Sequence, residues 1–155
     1  MSNIRKFRSV SLILIAVILI GACAPAAPSG TVSFMVSGDP AELKAYQTLV
    51  AAFEQKNPSI KIELIHIPSS GDYSKRLSAD FAANTPANVV LINYRRYAGF
   101  AAKGVLEPVG PYLAKSTIIK EGDFYSEAIE PFKWEGVLTC IPQNISSLVV
   151  YYNKT

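Results

Sequence analysis

From residue 31 to residue 103 the spacing of apolar residues switches repeatedly between two and three-to-four, and this alternation constrains the fold of the chain more than any other feature. A period of two marks one face of a strand, and a spacing of three or four marks one stripe of a helix. Residues 31–36 are β-branched and aromatic and run into Ser37-Gly38-Asp39-Pro40, which predicts a first strand and a turn. Asp39 is placed to cap a helix, Pro40 suits its first position, and Glu42 completes a capping-box pair. Leu43, Tyr46, Leu49, Val50 and Phe53 then form an apolar stripe that ends before Asn57-Pro58. Residues 60–67 predict a second strand whose far end is apolar on both faces. After the turn Ser69-Ser70-Gly71-Asp72, the spacing of Tyr73, Leu77 and Phe81 predicts a helix ending near Asn84-Thr85-Pro86. Residues 89–92 are expected to form a continuous apolar strand, buried on both faces of a parallel sheet. Residues 94–103 read as a helix stopped by Gly104. The order predicts an open α/β sheet with right-handed crossovers and ligand sites beyond the carboxyl ends of its strands. Further on, residues 105–112 carry two prolines and are expected to be irregular, and 124–132 predict a short helix. Lys133-Trp134-Glu135-Gly136 reads as a turn into a strand over 137–141, and residues 148–152 as a last β-rich run. No element follows that run, so the chain is expected to be truncated.

The N-terminus reads as an address. Arg5, Lys6 and Arg8 precede an apolar run over residues 10–20, interrupted only by Ser11, and Gly21-Ala22 lead into Cys23. This is the charged, apolar and small-residue order of a signal peptide. The run falls short of the ~20 apolar residues that a spanning helix needs. Its removal takes away three of 15 basic residues and leaves 12 against 12 acidic ones, so no basic footprint for nucleic acid remains. Ile20-Gly21-Ala22-Cys23 resembles the lipobox of bacterial lipoproteins, which implies cleavage before Cys23 and lipidation of its thiol. Two or more acyl chains, at about 0.8 kcal/mol per buried methylene, give stable anchoring. The expected organisation is a signal peptide over 1–22, a lipidated tether over 23–30 and an α/β lobe over 31–155. It places the protein on the outer face of a bacterial cytoplasmic membrane or in the periplasm. Pro25, Pro28, Ser29 and Gly30 suit a mobile tether.

Signals for catalysis are weak. One histidine and two cysteines do not supply the three or four convergent ligands of a usual metal site, and neither a G-x-S-x-G elbow nor a Gly-rich phosphate loop is present. No catalytic residue, metal or cofactor is assigned. His66 reads as a strand-end residue satisfied by backbone, and Cys140, inside Leu138-Thr139-Cys140-Ile141, as a small buried hydrophobe. Ser37-Gly38-Asp39 puts polar groups at the mouth of a strand, which equally describes plain turn and cap chemistry. Tyr94, Arg95, Arg96, Tyr97 and Phe100 combine rings with cations just past a strand end. A polar ligand can be stacked and hydrogen-bonded there; alternatively, one face is core and the arginines are solvated. Asn144-Ile145-Ser146 fits an N-glycosylation acceptor, but a lipobox points to a bacterial cell, so it reads as pocket or hinge sequence.

The order of these pieces carries a resemblance over nearly the whole chain. The lipobox, Ser37-Gly38-Asp39-Pro40-Ala41-Glu42, Phe53-Glu54 with Asn57-Pro58, and Ile60-Lys61-Ile62-Glu63 are followed by Gly104-Val105-Leu106-Glu107-Pro108. Pro142-Gln143-Asn144 and Tyr151-Tyr152-Asn153-Lys154 complete the series. Together they resemble the extracellular solute-binding lipoproteins of family 1, the sugar-type receptors of ABC importers. The resemblance implies a periplasmic-binding-protein-like (type II) α/β fold, with this chain as the first lobe of a two-lobe receptor. It also implies a ligand held between the lobes and delivery to a membrane permease, with no catalysis. The cleft residues it implies are Ser37 and Asp39 from the first strand's loop, Ser70 and Tyr73 from the second, and Asn93 and Tyr94 from the third. Gln143, Asn144, Ser146 and Ser147 correspond to the segment approaching the hinge. Sugars need polar partners for vicinal hydroxyls and an aromatic face for the ring, and these residues supply both kinds. The family often has proline followed directly by aspartate and valine where this chain reads Pro86-Ala87-Asn88-Val89, so Asn88 is given no role. Two other readings stand beside the receptor: a lipid-anchored glycan hydrolase using paired carboxylates, and a non-functional or scaffold lipoprotein remnant.

Overall fold

A computed structural model describes residues 30–146 and 150–154. The expected signal peptide, Cys23, the tether up to residue 29, Ser147 and the start of the last β-rich run lie outside the described residues. Strand β1 (Gly30–Ser37) leads to helix α1 (Pro40–Lys56), strand β2 (Ile60–Ile67), helix α2 (Ser70–Ala82), strand β3 (Val89–Val90) and helix α3 (Tyr94–Ala101). Helix α4 (Gly110–Lys115), helix α5 (Ser126–Ile129) and the hairpin β4 (Lys133–Trp134) and β5 (Val137–Leu138) follow, with 3-10 turns at Glu121–Asp123 and Glu130–Phe132.

β1 is the middle of a three-stranded sheet of order β2-β1-β3. It pairs parallel with β2 along its full length, from Gly30 opposite Ile60 to Ser37 opposite Ile67, and parallel with β3 at Phe34 and Met35. Side chains of β1 alternate between the faces. Phe34 meets Tyr46 of α1 edge to face, with ring centroids 5.8 Å apart, while Met35 packs on Tyr73 and Leu77 of α2. Helices therefore cover both faces of the sheet, and Met35 and Val36 are fully enclosed between them. The α2 side also receives Phe100 of α3, whose ring lies 5.0 Å from that of Phe81.

Local chemistry explains the element ends. At the start of α1, Asp39 Oδ1 accepts from Glu42 N–H and Glu42 Oε2 accepts from Asp39 N–H, both at 2.9 Å, which closes the expected capping box. Gly38 sits at φ 147°, and a Cβ there would collide with the Glu42 carboxylate that closes the box. Glu54, near the end of α1, accepts from Ile62 N–H at 2.8 Å and ties the helix to β2. That backbone donor holds its carboxyl below the usual range, with help from Lys61. In the hairpin, Glu135 and Gly136 take φ of 50° and 80°, the left-handed pair that a tight two-residue turn requires.

Several expectations need correction. The third strand has two residues rather than four, and Val89 is 48 % exposed, so it is a short edge strand and not one buried on both faces. Leu91 leaves the ladder because the Tyr73 hydroxyl takes its backbone N–H and C=O. The strand expected over 137–141 stops at Leu138, and residues 150–154 form no strand. Residues 105–112 are not wholly irregular: α4 starts at Gly110 with Pro111 in its first turn, where a missing N–H does no harm. The stripe on α1 is only partly covered. Leu43, Tyr46 and Val50 are half-buried, but Leu49 and Phe53 are 62 % and 41 % exposed, because three strands are too narrow a platform for the whole stripe.

A second cluster, Leu113, Ile129 and Leu138, sits under α4, α5 and the hairpin. Tyr97, buried on α3, joins it to the sheet: its hydroxyl donates to the Phe132 carbonyl at 2.6 Å and meets Thr139 Oγ1 at 2.8 Å.

Candidate functional site

Because the strands are parallel, their carboxyl ends open onto one edge, where three loops start three helices. Each helix is capped there by a side chain: α1 by Asp39, α2 by Ser69, whose Oγ accepts from Asp72 N–H at 3.2 Å, and α3 by Asn93, whose Oδ1 accepts from Arg95 N–H at 3.0 Å. The first loop is tied to the end of β2 by His66, which donates from Nε2 to the Gly38 carbonyl at 2.9 Å. The backbone role expected of His66 is thus its role in the structure.

Ser37, Asp39, Ser70, Asn93 and Tyr94 all lie at this edge. Ser37 is half-buried and Ser70 exposed, and neither hydroxyl makes a hydrogen bond among the described residues. Asn93 uses its Oδ1 for the cap and keeps its amide nitrogen free. The Tyr94 ring is 60 % exposed, with the Arg95 guanidinium 5.6 Å from its centroid and Arg95 Nε donating to its hydroxyl at 3.0 Å. The edge therefore offers an aromatic face with a fixed cation and nearby hydroxyl and amide groups. That set suits hydrogen bonding and stacking.

Tyr73 does not belong to this edge. It is buried in the core, where its hydroxyl lies 2.8 Å from the Leu91 carbonyl and 3.1 Å from that of Met35, and accepts from Leu91 N–H at 2.9 Å. Burial pushes the phenol up to about 12, with the Leu91 contact partly offsetting it. Its apolar spacing with Leu77 already pointed to the core. Tyr97 and Phe100 are likewise core residues of α3, so the helix face is divided between packing and exposed arginines.

The hinge-like segment is less convergent. Gln143 donates from Nε2 to the Tyr46 hydroxyl at 2.7 Å, which holds it against α1 about two turns from the edge. Asn144 and Ser146 are exposed, and among the described residues no hydrogen bond joins them to the three loops; Ser147 lies outside the described residues. Cys140 is half-buried and unpaired, and burial pushes its thiol up to about 11, away from reactivity.

Three features were not read from the sequence. Ser69, not Ser70, caps α2, although a serine three residues before Asp72 was a visible cap signal. Asn88 clamps β3 to β1: its Oδ1 accepts from Ser33 N–H and from Ser33 Oγ, both at 2.9 Å, and its N–H donates to Ser33 Oγ at 2.9 Å. Only acceptor chemistry is used by that side chain, which an aspartate also supplies, so the departure from the family pattern leaves the clamp intact. Lastly, a concavity of about 360 Å³ lies between α2 and α3, lined by Phe81, Phe100, Arg95, Arg96, Gly99 and Lys103 among others.

The comparisons with known proteins agree with this architecture. Residues 37–155 match a family model described as bacterial extracellular solute-binding protein. Putative binding proteins of Brucella abortus and Brucella suis are 29 % identical over 152 residues, which is 97 % of this chain and 35 % of theirs. The chain thus spans about a third of the length of these relatives. Among solved structures, the sugar-binding protein MalE of Xanthomonas citri is 33 % identical with a TM-score of 0.64, over 73 % of this chain and 28 % of that one. The GacH receptor of Streptomyces glaucescens, determined unliganded and with acarbose, is 26 % identical with a TM-score of 0.66, over 75 % and 29 %. The fold is that of the type II periplasmic binding proteins, and the chain belongs to the bacterial extracellular solute-binding protein family.

Proposed function

We propose that this chain is the extracytoplasmic substrate-binding part of a bacterial ABC importer, that it binds a carbohydrate, and that it hands the ligand to a membrane permease. In this reading residues 1–22 are a signal peptide, Cys23 carries the lipid, residues 23–30 are the tether, and residues 31–155 belong to the first of two lobes. The observation that carries it is the shared edge, where Ser37, Ser70 and Asn93 offer polar groups beside the exposed Tyr94 ring. A pyranose has hydroxyls for the former and an apolar face for the latter. Relatives of known ligand support the choice of sugar: a Listeria monocytogenes ABC substrate-binding protein, 25 % identical, was solved with cycloalternan, and the GacH receptor with acarbose. Asp39 holds the α1 cap and contributes to the ligand through the same carboxylate.

Calorimetric titration of the native membrane-extracted protein with a panel of oligosaccharides tests the reading. Micromolar binding of a glycan, weakened about tenfold or more by Tyr94→Ala and less by Asp39→Asn, is expected. Binding of an amino acid or a phosphate ester in place of every glycan would sink the sugar assignment. Turnover of a glycan would replace the receptor with the hydrolase, and a native protein that binds no solute would leave the scaffold reading.

A further inference from the structure

The concavity between α2 and α3 is chemically unlike the sheet edge. Its floor is apolar, formed by the half-buried rings of Phe81 and Phe100, which are in contact with each other. Its rim is cationic: Arg95, Arg96 and Lys103 are all exposed, and Arg96 and Lys103 make no hydrogen bond or ion pair among the described residues. Among the described residues no acidic side chain lines it. The nearest acid in sequence, Asp80, is bound through both oxygens to Arg76 Nε at 2.8 Å and does not neutralise the rim. Gly99 lies in the lining between Arg95 and Lys103, four residues from each, and a Cβ there would meet nothing within 4 Å. A glycine inside a helix costs about 1 kcal/mol relative to alanine, so the local sequence favours an open notch over helix stability.

We propose that this groove docks an acidic helical segment of a partner protein, with apolar side chains on the Phe81 and Phe100 floor and carboxylates against Arg95, Arg96 and Lys103. The length of the cationic rim favours a peptide over a single small anion. Arg95 and Arg96 sit on the first turn of α3 and Lys103 two residues past its end, seven or eight residues and roughly 12 Å away, which is about the two-turn separation at which carboxylates recur along one face of another helix. The groove's shape favours a peptide over a lipid surface. The rings form the floor of a concavity, where projecting leucine or phenylalanine side chains reach them and a planar bilayer does not.

The test uses the full chain and a fluorescein-labelled helical peptide of about three turns, with glutamates four residues apart on the leucine-bearing face. Its partner is the same peptide with glutamine for glutamate. Fluorescence anisotropy is expected to show binding of the acidic peptide only, weakened by salt. Arg96→Glu with Lys103→Glu, both exposed and unpaired, is expected to weaken it about tenfold or more. Gly99→Leu fills the notch without removing charge and is expected to do the same, and circular dichroism on each variant confirms that the helices persist. Equal binding of acidic and glutamine peptides, or unchanged binding in both variants, overturns the proposal. Displacement of the acidic peptide by phosphatidylglycerol vesicles, but not by phosphatidylcholine vesicles, overturns it in favour of a membrane contact.

Discussion

The Tyr73 hydroxyl supplies the sharpest stability test. Tyr73→Phe keeps the ring that packs on Met35 and Leu77 and opens no cavity. It removes only an oxygen that serves three contacts: the Leu91 carbonyl at 2.8 Å, the Leu91 N–H at 2.9 Å and the Met35 carbonyl at 3.1 Å. Losing the partner of a buried donor or acceptor costs ~1–3 kcal/mol each, and Leu91 loses both of its partners. Leu91 is half-buried, so water recovers part of that loss and the expected destabilisation is about 2–3 kcal/mol. Urea unfolding followed through the single tryptophan, Trp134, measures it, and hydrogen exchange at the Leu91 amide should accelerate in the same variant. Tyr46→Phe is the control. It removes an exposed contact to Gln143 and should stay within about 0.5 kcal/mol. The same phenol also sets a pH window. Its pKa is about 12 in the fold against 10.0 free, so the unfolded chain gives up its proton first. This contribution to stability is complete below pH 10 and is lost as pH rises toward about 12; in Tyr73→Phe it is absent. A loss below about 1 kcal/mol in Tyr73→Phe, with Leu91 exchange unchanged, would refute the claim that this hydroxyl holds the end of β3.

Two further outcomes follow from long-range contacts. Asn88→Ala should release β3 from Ser33 and cost about 1–2 kcal/mol, whereas Asn88→Asp, which keeps the acceptor, should cost clearly less; equal losses would mean that the clamp is not the reason. Cys140, with its thiol pushed from 9.0 to about 11, should have roughly a hundredfold less thiolate than a free cysteine at neutral pH, and react with Ellman's reagent quickly only after unfolding.

Much of the architecture was legible because it is written in short-range pattern. The capping box at Asp39 and Glu42 and the full length of β2 depend on residues within a turn or two of one another, as does the start of α3 at Tyr94, although that helix ends at Ala101 rather than running on to Gly104. The candidate edge was legible for the same reason: in a parallel sheet every strand-to-helix loop falls on one side, so Ser37, Ser70 and Asn93 come together once the alternation is read correctly. The extent of β3 and the role of Tyr73 were not. Both are settled by hydrogen bonds across separations of 18, 38 and 55 residues, to Leu91, Met35 and Ser33, and no local window contains both partners.

Over residues 30–101 the sequence alone determined the kinds of element, their order and the chemistry available at the strand ends, because propensity, capping and periodicity act over one or two turns. Only the tertiary structure decided which of those groups remain available. It consumed the Tyr73 hydroxyl in the core and the Asn88 side chain in a clamp, left Leu49 and Phe53 of α1 uncovered, and drew Arg95, Arg96 and Lys103 around an apolar floor. The physical reason is that a polar group's availability depends on whether the fold brings it a buried partner, and that partner is chosen by packing between distant segments.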